Sequence, residues 1–167
     1  MFNFLQKFIS KKEVNHDNHL ITPVTGKAAS ITEISDEVFS ERILGDGVAV
    51  IPSENIIFSP MEGEVVQVAE TNHAFCIKGK NGLDVLIHIG VDTVTLKGKG
   101  FKSYVKVGQK VHVGKKIAKA DFNLISNAGL QTHVIMIITN MSKLAEFNTV
   151  TGNVKAGEDE VITFRMK

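Results

Sequence analysis

Two histidines, His73 and His88, each stand in a strand-like apolar segment, and a glycine-rich turn joins the two segments. Asn81 and Gly82 in that turn form a dipeptide typical of a β-hairpin. An even loop, centred either between Lys80 and Asn81 or on Asn81 and Gly82, places both imidazoles on one face of the hairpin. A three-residue loop would send them to opposite faces. We predict an even loop and two imidazoles in contact.

Two imidazoles in an apolar surrounding could transfer a phosphoryl group. A single histidine in a buried strand is more often a hydrogen-bonded core residue than a reacting one, but a second ring nearby favours reactivity. One neutral ring nitrogen can attack phosphorus while the other ring and the Thr71 hydroxyl hold the phosphoryl oxygens. The carboxylate of Asp92 would lie near the same site. The rings of His73 and His88 could instead hold zinc, with further ligands from solvent or from a partner molecule.

The composition excludes several classes of protein. The chain has 167 residues, of which 43% are hydrophobic and 22% charged, as is ordinary for one globular domain. Its formal net charge of +1 gives no overall field that would attract nucleic acid, so we expect no nucleic-acid partner. Cys76 is the only cysteine, which excludes an internal disulfide and a cysteine zinc cluster. Without a signal peptide or a long apolar run, we expect a cytoplasmic protein.

Many short strands separated by glycine turns favour an all-β fold, namely an antiparallel β-sandwich or a barrel-like hybrid of it with short helical turns. Uninterrupted apolar residues predict buried strands over residues 48–51 and 134–138, and a last strand is predicted over 161–166. Short alternating segments over 105–107 and 111–113, and the following residues 116–119, also have strand and turn signals. Helical turns are predicted over residues 36–43, 121–130 and 142–147.

An internal repeat supports this architecture. Residues 21–27 (ITPVTGK) recur 37 positions later as residues 58–64 (FSPMEGE), and each copy leads into a predicted strand. Proline fixes the entry to the turn and a glycine three residues later permits it, so backbone needs alone explain both copies. We therefore predict a duplicated hairpin motif.

The N-terminal residues form a separate region. Residues 1–19 are predicted to be a tail, and residues 20–167 the folded domain. Apolar residues at helical spacing in residues 1–12 indicate either a frayed segment or a short amphipathic helix that could make a peripheral membrane contact.

Residues 71–101 (TNHAFCIKGKNGLDVLIHIGVDTVTLKGKGF) resemble the signature of the glucose-type IIA component of the bacterial phosphoenolpyruvate-dependent sugar phosphotransferase system. The resemblance extends to residues 23–26 (PVTG), 36–50, 59–63 and 154–167, and thus to about the whole chain from Leu20 onward.

This resemblance implies a phosphoryl carrier. The residue matching His88 would accept phosphate from the phosphocarrier HPr and pass it to the IIB domain of a sugar permease. The residue matching His73 would stabilise the phosphoryl group with hydrogen-bond support from Thr71, and no cofactor would be required. Regulatory targets such as permeases or a glycerol kinase would bind according to the phosphorylation state. The implied partner-binding residues surround this pair: Asp36, Val38, Phe39, Ile43, Leu44, Phe75, Asp92 and Val94.

Departures from the family pattern concern partner contacts and not the histidine pair. Thr95 and Lys99 stand where acidic residues are expected, and His133 stands where a proline is common. An alternative is a zinc-dependent hydrolase, since His88 and Asp92 fit half of such a motif, although its H-x-H element is missing. Biotinyl or lipoyl carriers are excluded because the chain has no lysine between methionines at a hairpin tip.

Overall fold

The computed structural model describes residues 18–167, in which the chain forms fourteen strands and two short α-helices. The helices are α1 (Glu37–Ser40) and α2 (Phe122–Asn127). The strands are β1 (His19–Ile21), β2 (Gly26–Ser30), β3 (Asp46–Pro52), β4 (Ile56–Phe58), β5 (Gly63–Val68), β6 (Ala74–Gly79), β7 (Asp84–Ile89), β8 (Phe101–Ser103), β9 (Lys110–Val111), β10 (Lys116–Ala120), β11 (Val134–Ile138), β12 (Leu144–Thr149), β13 (Gly152–Val154) and β14 (Glu160–Met166). The predicted tail lies almost wholly outside the described residues. Across residues 18–167, no helix has the length and apolar character that a membrane span requires.

The strands form three antiparallel sheets. The largest has eight strands in the order β13-β2-β3-β11-β7-β6-β5-β9. Two three-stranded sheets, β1-β14-β12 and β4-β10-β8, complete the fold. The prediction of an antiparallel all-β fold with short helical turns is confirmed. Within residues 18–167 no ladder joins β13 to β9, so the large sheet stays open.

The two faces of the large sheet have different roles. Along β6 and β7 the odd-numbered residues, such as Ile77 and Ile87, are buried and belong to the main core. Even-numbered residues of β7, including His88, are only partly buried and lie on the other face. There a smaller apolar cluster contains Phe39 and Ile135. Strand β11 is buried along its whole length because it lies between both clusters.

The two copies of the repeat occupy equivalent places. The hydroxyls of Thr22 and Ser59 are both buried and donate to the carbonyl two residues further on, over 2.8 and 2.7 Å. The copies also bind each other. The Phe58 N–H donates to the Pro23 carbonyl over 2.7 Å. In the same way, the Ile21 N–H donates to the Pro60 carbonyl over 3.0 Å. The predicted duplicated motif is therefore a reciprocal pair of turns.

The repeat extends to the sheet as a two-fold pattern. Strands β2, β3, β11 and β13 on one side take the places of β5, β6, β7 and β9 on the other. The repeat glycines Gly26 and Gly63 open β2 and β5, and both lie against the carbonyl of the neighbouring strand so closely that a Cβ atom would overlap it. Glycine is required at both positions for space, since neither needs a left-handed backbone.

Two local predictions are wrong, and a third, the helix with a polar cap at Asp121, is confirmed with a shorter range. Residues 142–147 do not form a helical turn, since a 3₁₀ turn over Met141–Lys143 leads directly into β12, whose pairing with β14 outweighs local propensity. Helix α2 is shorter than residues 121–130, because Gly129 takes a left-handed conformation (φ +78°). Residues 105–107 form a turn and not a strand, with the Gly108 N–H donating to the Val65 carbonyl over 2.7 Å.

We expect Gly26→Ala to lower the free energy of unfolding by about 2–3 kcal/mol, because its Cβ would overlap the Ile51 carbonyl of a paired strand that cannot move alone. Urea denaturation monitored by circular dichroism measures this. Gly157→Ala is the matched control. That residue has open space and a left-handed backbone (φ +77°), so only the conformational cost of about 1 kcal/mol applies. Equal losses in the two variants would contradict the steric account.

Candidate functional site

The hairpin between β6 and β7 has a three-residue loop. Paired residue numbers sum to 162, as in Ala74 opposite His88, so the predicted even loop is wrong. The Gly82 N–H donates to the Gly79 carbonyl over 3.0 Å, and the Gly79 N–H to the Leu83 carbonyl over 2.8 Å. Gly82 has φ +87°, the left-handed residue that such a loop needs after its turn. Asn-Gly thus marks the hairpin, but the glycine extends the loop by one residue.

The two imidazoles nevertheless meet. His73 precedes the first residue of β6 and follows Asn72, which has a left-handed backbone (φ +58°) inside a turn closed by the Ala69 N–H and the Ala74 carbonyl (2.9 Å). Because His73 lies outside the regular strand, strand alternation does not set the direction of its side chain. The ring centroids of His73 and His88 lie 5.0 Å apart, with an angle of 81° between the ring planes. The predicted contact is present, reached by a different geometry.

One hydrogen bond fixes the tautomer of His88. Its Nδ1 lies 2.7 Å from the carbonyl oxygen of Gly90, which can only accept, so Nδ1 carries the proton. The lone pair is therefore on Nε2, the nitrogen at the far side of the ring. The Phe39 ring packs beside the imidazole with a centroid distance of 5.1 Å. His88 is thus a neutral, oriented ring with one nitrogen available as a nucleophile.

A different partner orients His73. The Thr71 hydroxyl lies 2.5 Å from its Nδ1 and forms a hydrogen bond with it. If the hydroxyl donates this hydrogen bond, the proton of the neutral ring is on Nε2. The ring then offers an N–H donor on the side away from Thr71. The His73 side chain is largely buried, so such a donor would act in a weakly solvated surrounding.

Burial keeps both rings neutral. Desolvation lowers the pKa of His73, and repulsion from His88 lowers it further. Desolvation also lowers the pKa of His88, against smaller opposing effects of the Gly90 carbonyl, Asp36 and Asp92. A neutral imidazole has the lone pair that nucleophilic attack requires.

The loops beside His88 are held by residues that the sequence did not single out. The Gln131 side chain accepts from the Ser35 N–H (3.0 Å) and donates to the Glu33 carbonyl (3.0 Å), while its backbone carbonyl accepts from the Val91 N–H (3.0 Å). The buried Thr93 hydroxyl donates to the Ile89 carbonyl over 2.6 Å. Polar residues in loops have no periodicity, so no sequence signal would have identified them.

Most of the expected partner-binding residues lie at the surface. Val38, Ile43, Leu44 and Val94 are 38%, 65%, 45% and 53% exposed. They lie in or after α1 and in the 3₁₀ turn Thr93–Leu96, close in the chain to residues that contact or orient His88.

The two phenylalanines of that expected set are buried, which corrects the prediction. Phe75 is an inward-facing residue of β6 with 1% exposure, so it packs in the core and cannot contact a partner. Phe39 is 5% exposed, and its ring packs against the ring of His88. Of the two acidic residues, Asp92 is exposed and Asp36 is half-buried. Asp36 caps α1 by accepting from the Val38 N–H over 2.9 Å.

The zinc hypothesis has no support. No group of three or more His, Cys, Asp or Glu side chains converges as a metal site in the part of the chain that the structure describes. Two imidazoles alone leave a tetrahedral zinc site half filled. His133 lies near Glu33, with 3.5 Å between its Nε2 and a carboxylate oxygen, and is not a third ligand. The zinc-dependent hydrolase is therefore unsupported as well.

Comparisons with known proteins show the family and the fold of this chain. The family described as the phosphoenolpyruvate-dependent sugar phosphotransferase system, EIIA 1, matches residues 18–144. The PTS system glucose-specific EIIA component of Bacillus anthracis is 39% identical over 91% of this chain and 93% of its own. The PTS system N-acetylglucosamine-specific EIICBA component of Klebsiella pneumoniae is 35% identical over 89% of this chain and 23% of its own length. The solved structure of glucose permease IIA from Mycoplasma capricolum has a TM-score of 0.79 and 36% identity, covering 86% of this chain and 94% of that one.

We expect both imidazoles to titrate below the ordinary value of 6.5, because folding lowers both pKa values. Below pH 6.5 the unfolded chain then binds more protons than the folded one. The free energy of unfolding should therefore fall as the pH drops from 6.5 toward the folded pKa values, and these two rings should not affect its pH dependence above that window. NMR titration of the ring Cε1–H signals, with the urea-unfolded chain as control, measures this. Rings that titrate at or above 6.5 in the folded protein would contradict it.

Proposed function

We propose that this chain, which belongs to the EIIA 1 family of the phosphoenolpyruvate-dependent sugar phosphotransferase system, carries a phosphoryl group on Nε2 of His88. One observation supports this assignment above the others: the Gly90 carbonyl holds the proton on Nδ1 and leaves the Nε2 lone pair next to a second imidazole. Members of the family are phosphotransferase components, so membership gives the reaction class, and the geometry supports His88 as the residue.

Phosphorylation starts from the phosphorylated carrier HPr. The Nε2 lone pair of His88 attacks phosphorus in line with the donor's P–N bond, which breaks as the new P–N bond forms. No proton needs to leave His88, because Nε2 is unprotonated before the attack. The Nδ1–H hydrogen bond to Gly90 strengthens as the ring takes on positive charge, which stabilises the product.

His73 stabilises the transferred group. With the Thr71 hydroxyl donating to Nδ1, the Nε2–H of His73 donates to a phosphoryl oxygen held beside His88. The partly buried surrounding strengthens this contact and keeps water from the phosphoryl group. His73 would thus stabilise the negative charge of the phosphoryl group without forming a covalent bond to it.

The phosphoryl group then passes to the IIB domain of a sugar permease, on the cytoplasmic side of the membrane. The exposed residues Val38, Ile43, Leu44 and Val94 form an apolar rim that both the donor and the acceptor can bury. Asp36 and Asp92, close to the same ring, would pair with basic residues of the donor. The EIICBA relative holds a matching domain within a longer chain, which supports a IIB partner but does not identify the sugar.

The same rim supports a regulatory role. A phosphoryl group adds about two negative charges next to apolar residues that a partner would desolvate. A target such as a permease or a glycerol kinase would then bind the unmodified protein and be released on phosphorylation. The exposed apolar side chains around His88 favour this role.

We expect His88→Ala to abolish phosphoryl acceptance, because it removes the nucleophile. His73→Gln should still accept phosphate but pass it on roughly 100-fold more slowly, because one charge-stabilising donor is altered. Incubation with phosphoenolpyruvate, enzyme I and HPr, followed by acid-lability analysis and transfer to a IIB domain, measures both steps.

His112→Gln is the control for this experiment, since His112 is an exposed turn residue and should retain full activity. Phosphorylation of the His88→Ala variant, or equal and complete loss of acceptance in both variants, would contradict the division of roles.

For the regulatory role, we expect phosphorylation of His88 to weaken binding of a regulatory target at least tenfold, because the partner would bury the new charge. Val94→Asp should weaken binding of the unmodified form in the same direction. Pull-downs at matched protein concentration measure this, with Val150→Asp, an exposed valine between β12 and β13, as the control. If the same partners bind both forms equally well, the regulatory role is contradicted and only the proposed phosphoryl transfer remains.

A further inference from the structure

Positive charge is concentrated in one part of the chain. Residues 93–120 contain no Asp or Glu and eight lysines: Lys97, Lys99, Lys102, Lys106, Lys110, Lys115, Lys116 and Lys119. The whole chain has a formal net charge of only +1, so this segment is strongly basic within a nearly neutral protein. Such a separation of charge indicates a local partner and not an overall field.

The fold places three of these lysines on one exposed sheet face. Lys102 of β8 is directly opposite Lys119 of β10, and Lys116 lies on the same strand. A register shift between residues 116 and 118 keeps Lys116 exposed beside Lys119. The intervening residues of β10 are buried in the main core. We call Lys102, Lys116 and Lys119 the lysine face.

The lysine face has no internal counter-charge. Within residues 18–167 none of its three lysines forms an ion pair. Asp121 and Glu54 lie beyond the ends of its strands. Directly opposed like charges destabilise a ladder. The Lys102 ammonium lies 5.3 Å from the centroid of the Tyr104 ring, which is a cation–π contact and leaves the charge in place. An anionic partner would remove the repulsion between Lys102 and Lys119.

We propose that the lysine face binds the anionic surface of a lipid bilayer. Residues 93–120 contain no arginine, the residue that suits bidentate recognition of carboxylates or bases. Ammonium groups on flexible stems instead suit a diffuse field of lipid phosphates. Tyr104 is 39% exposed beside Lys102, and Val107 is 63% exposed on the following turn, so both can enter the headgroup layer. Nucleic acid fits less well, because Tyr104 is the chain's single tyrosine and offers only one exposed stacking ring on this face.

The inference does not depend on the proposed phosphoryl relay. The two sites are nevertheless neighbours along the chain. Lys97 and Lys99 flank Gly98, and a Cβ on Gly98 would lie 3.9 Å from the backbone of Thr71, beside the histidine pair. The basic segment that contains the lysine face therefore begins beside the histidine pair.

Vesicle co-sedimentation of the full chain tests the proposal. The probes are vesicles of 30% phosphatidylglycerol in phosphatidylcholine and vesicles of pure phosphatidylcholine. We expect binding to the anionic vesicles at low salt that is lost at 0.5 M NaCl, because screening shortens the range of the attraction. Each removed lysine should weaken partitioning about fivefold, so the triple variant Lys102→Gln, Lys116→Gln and Lys119→Gln should bind roughly a hundredfold more weakly.

The control removes the same number of charges elsewhere. Lys27→Gln, Lys78→Gln and Lys143→Gln, at exposed positions outside the segment, should bind nearly as the unaltered chain. Circular dichroism and phosphorylation by HPr in the absence of vesicles should be unchanged in both triple variants, which separates failure of this inference from failure of the relay. Equal vesicle binding by the two triple variants, no binding of the unaltered chain, or tighter lysine-dependent binding to a 20-base-pair DNA duplex or to an acidic protein would overturn the lipid assignment.

Discussion

The hydrogen bond from His88 Nδ1–H to the Gly90 carbonyl is the contact on which the proposed phosphoryl transfer depends. It requires the chain to turn back within two residues of a strand, which Gly90 permits through a left-handed backbone (φ +70°). A side chain at Gly90 would contact the Thr93 methyl group at 2.5 Å and displace the residue that holds the Ile89 carbonyl. The end of β7, the turn at Gly90 and the following 3₁₀ turn are thus arranged so that Nδ1 of His88 keeps its proton and Nε2 has none.

The sequence was sufficient for the fold class, the repeat and the meeting of the two imidazoles, but not for the way in which they meet. Asn81 and Gly82 correctly mark a hairpin, yet its parity depends on whether Gly82 belongs to the loop, which is a matter of backbone angles. Likewise, alternation predicts side-chain directions only inside a ladder, and His73 lies just outside one. Two local errors compensated, because the odd loop and the turn at Asn72 together restore the contact.

Burial explains why the expected partner-binding set divides into two groups. Family resemblance gives a list of positions near the histidines, but the strand pleat decides which of them reach the surface. Phe75 faces inward from β6, whereas Val94 lies on a short 3₁₀ turn that cannot bury it. Aromatic residues near a reactive ring also have a second use, as Phe39 shows by packing against His88. Nearness to the histidines in the sequence therefore did not distinguish residues that pack inside the protein from residues that a partner could contact.

The two-fold pattern of the large sheet places β7 and β11 at its centre, with three further strands on each side. The pairing registers make Ile137 of β11 the equivalent of His88 in the other half, so one half of a repeated scaffold holds the imidazole and the other holds an inert side chain. Central ladders are among the last to open in native-state fluctuations, while short helices and turns open readily. The amides around His88 should thus exchange with solvent only when the whole domain unfolds, and the elements that meet partners should exchange far earlier. The proposed nucleophile would then belong to the slowest-exchanging part of the molecule, and the exposed residues that would meet partners would belong to its more mobile part.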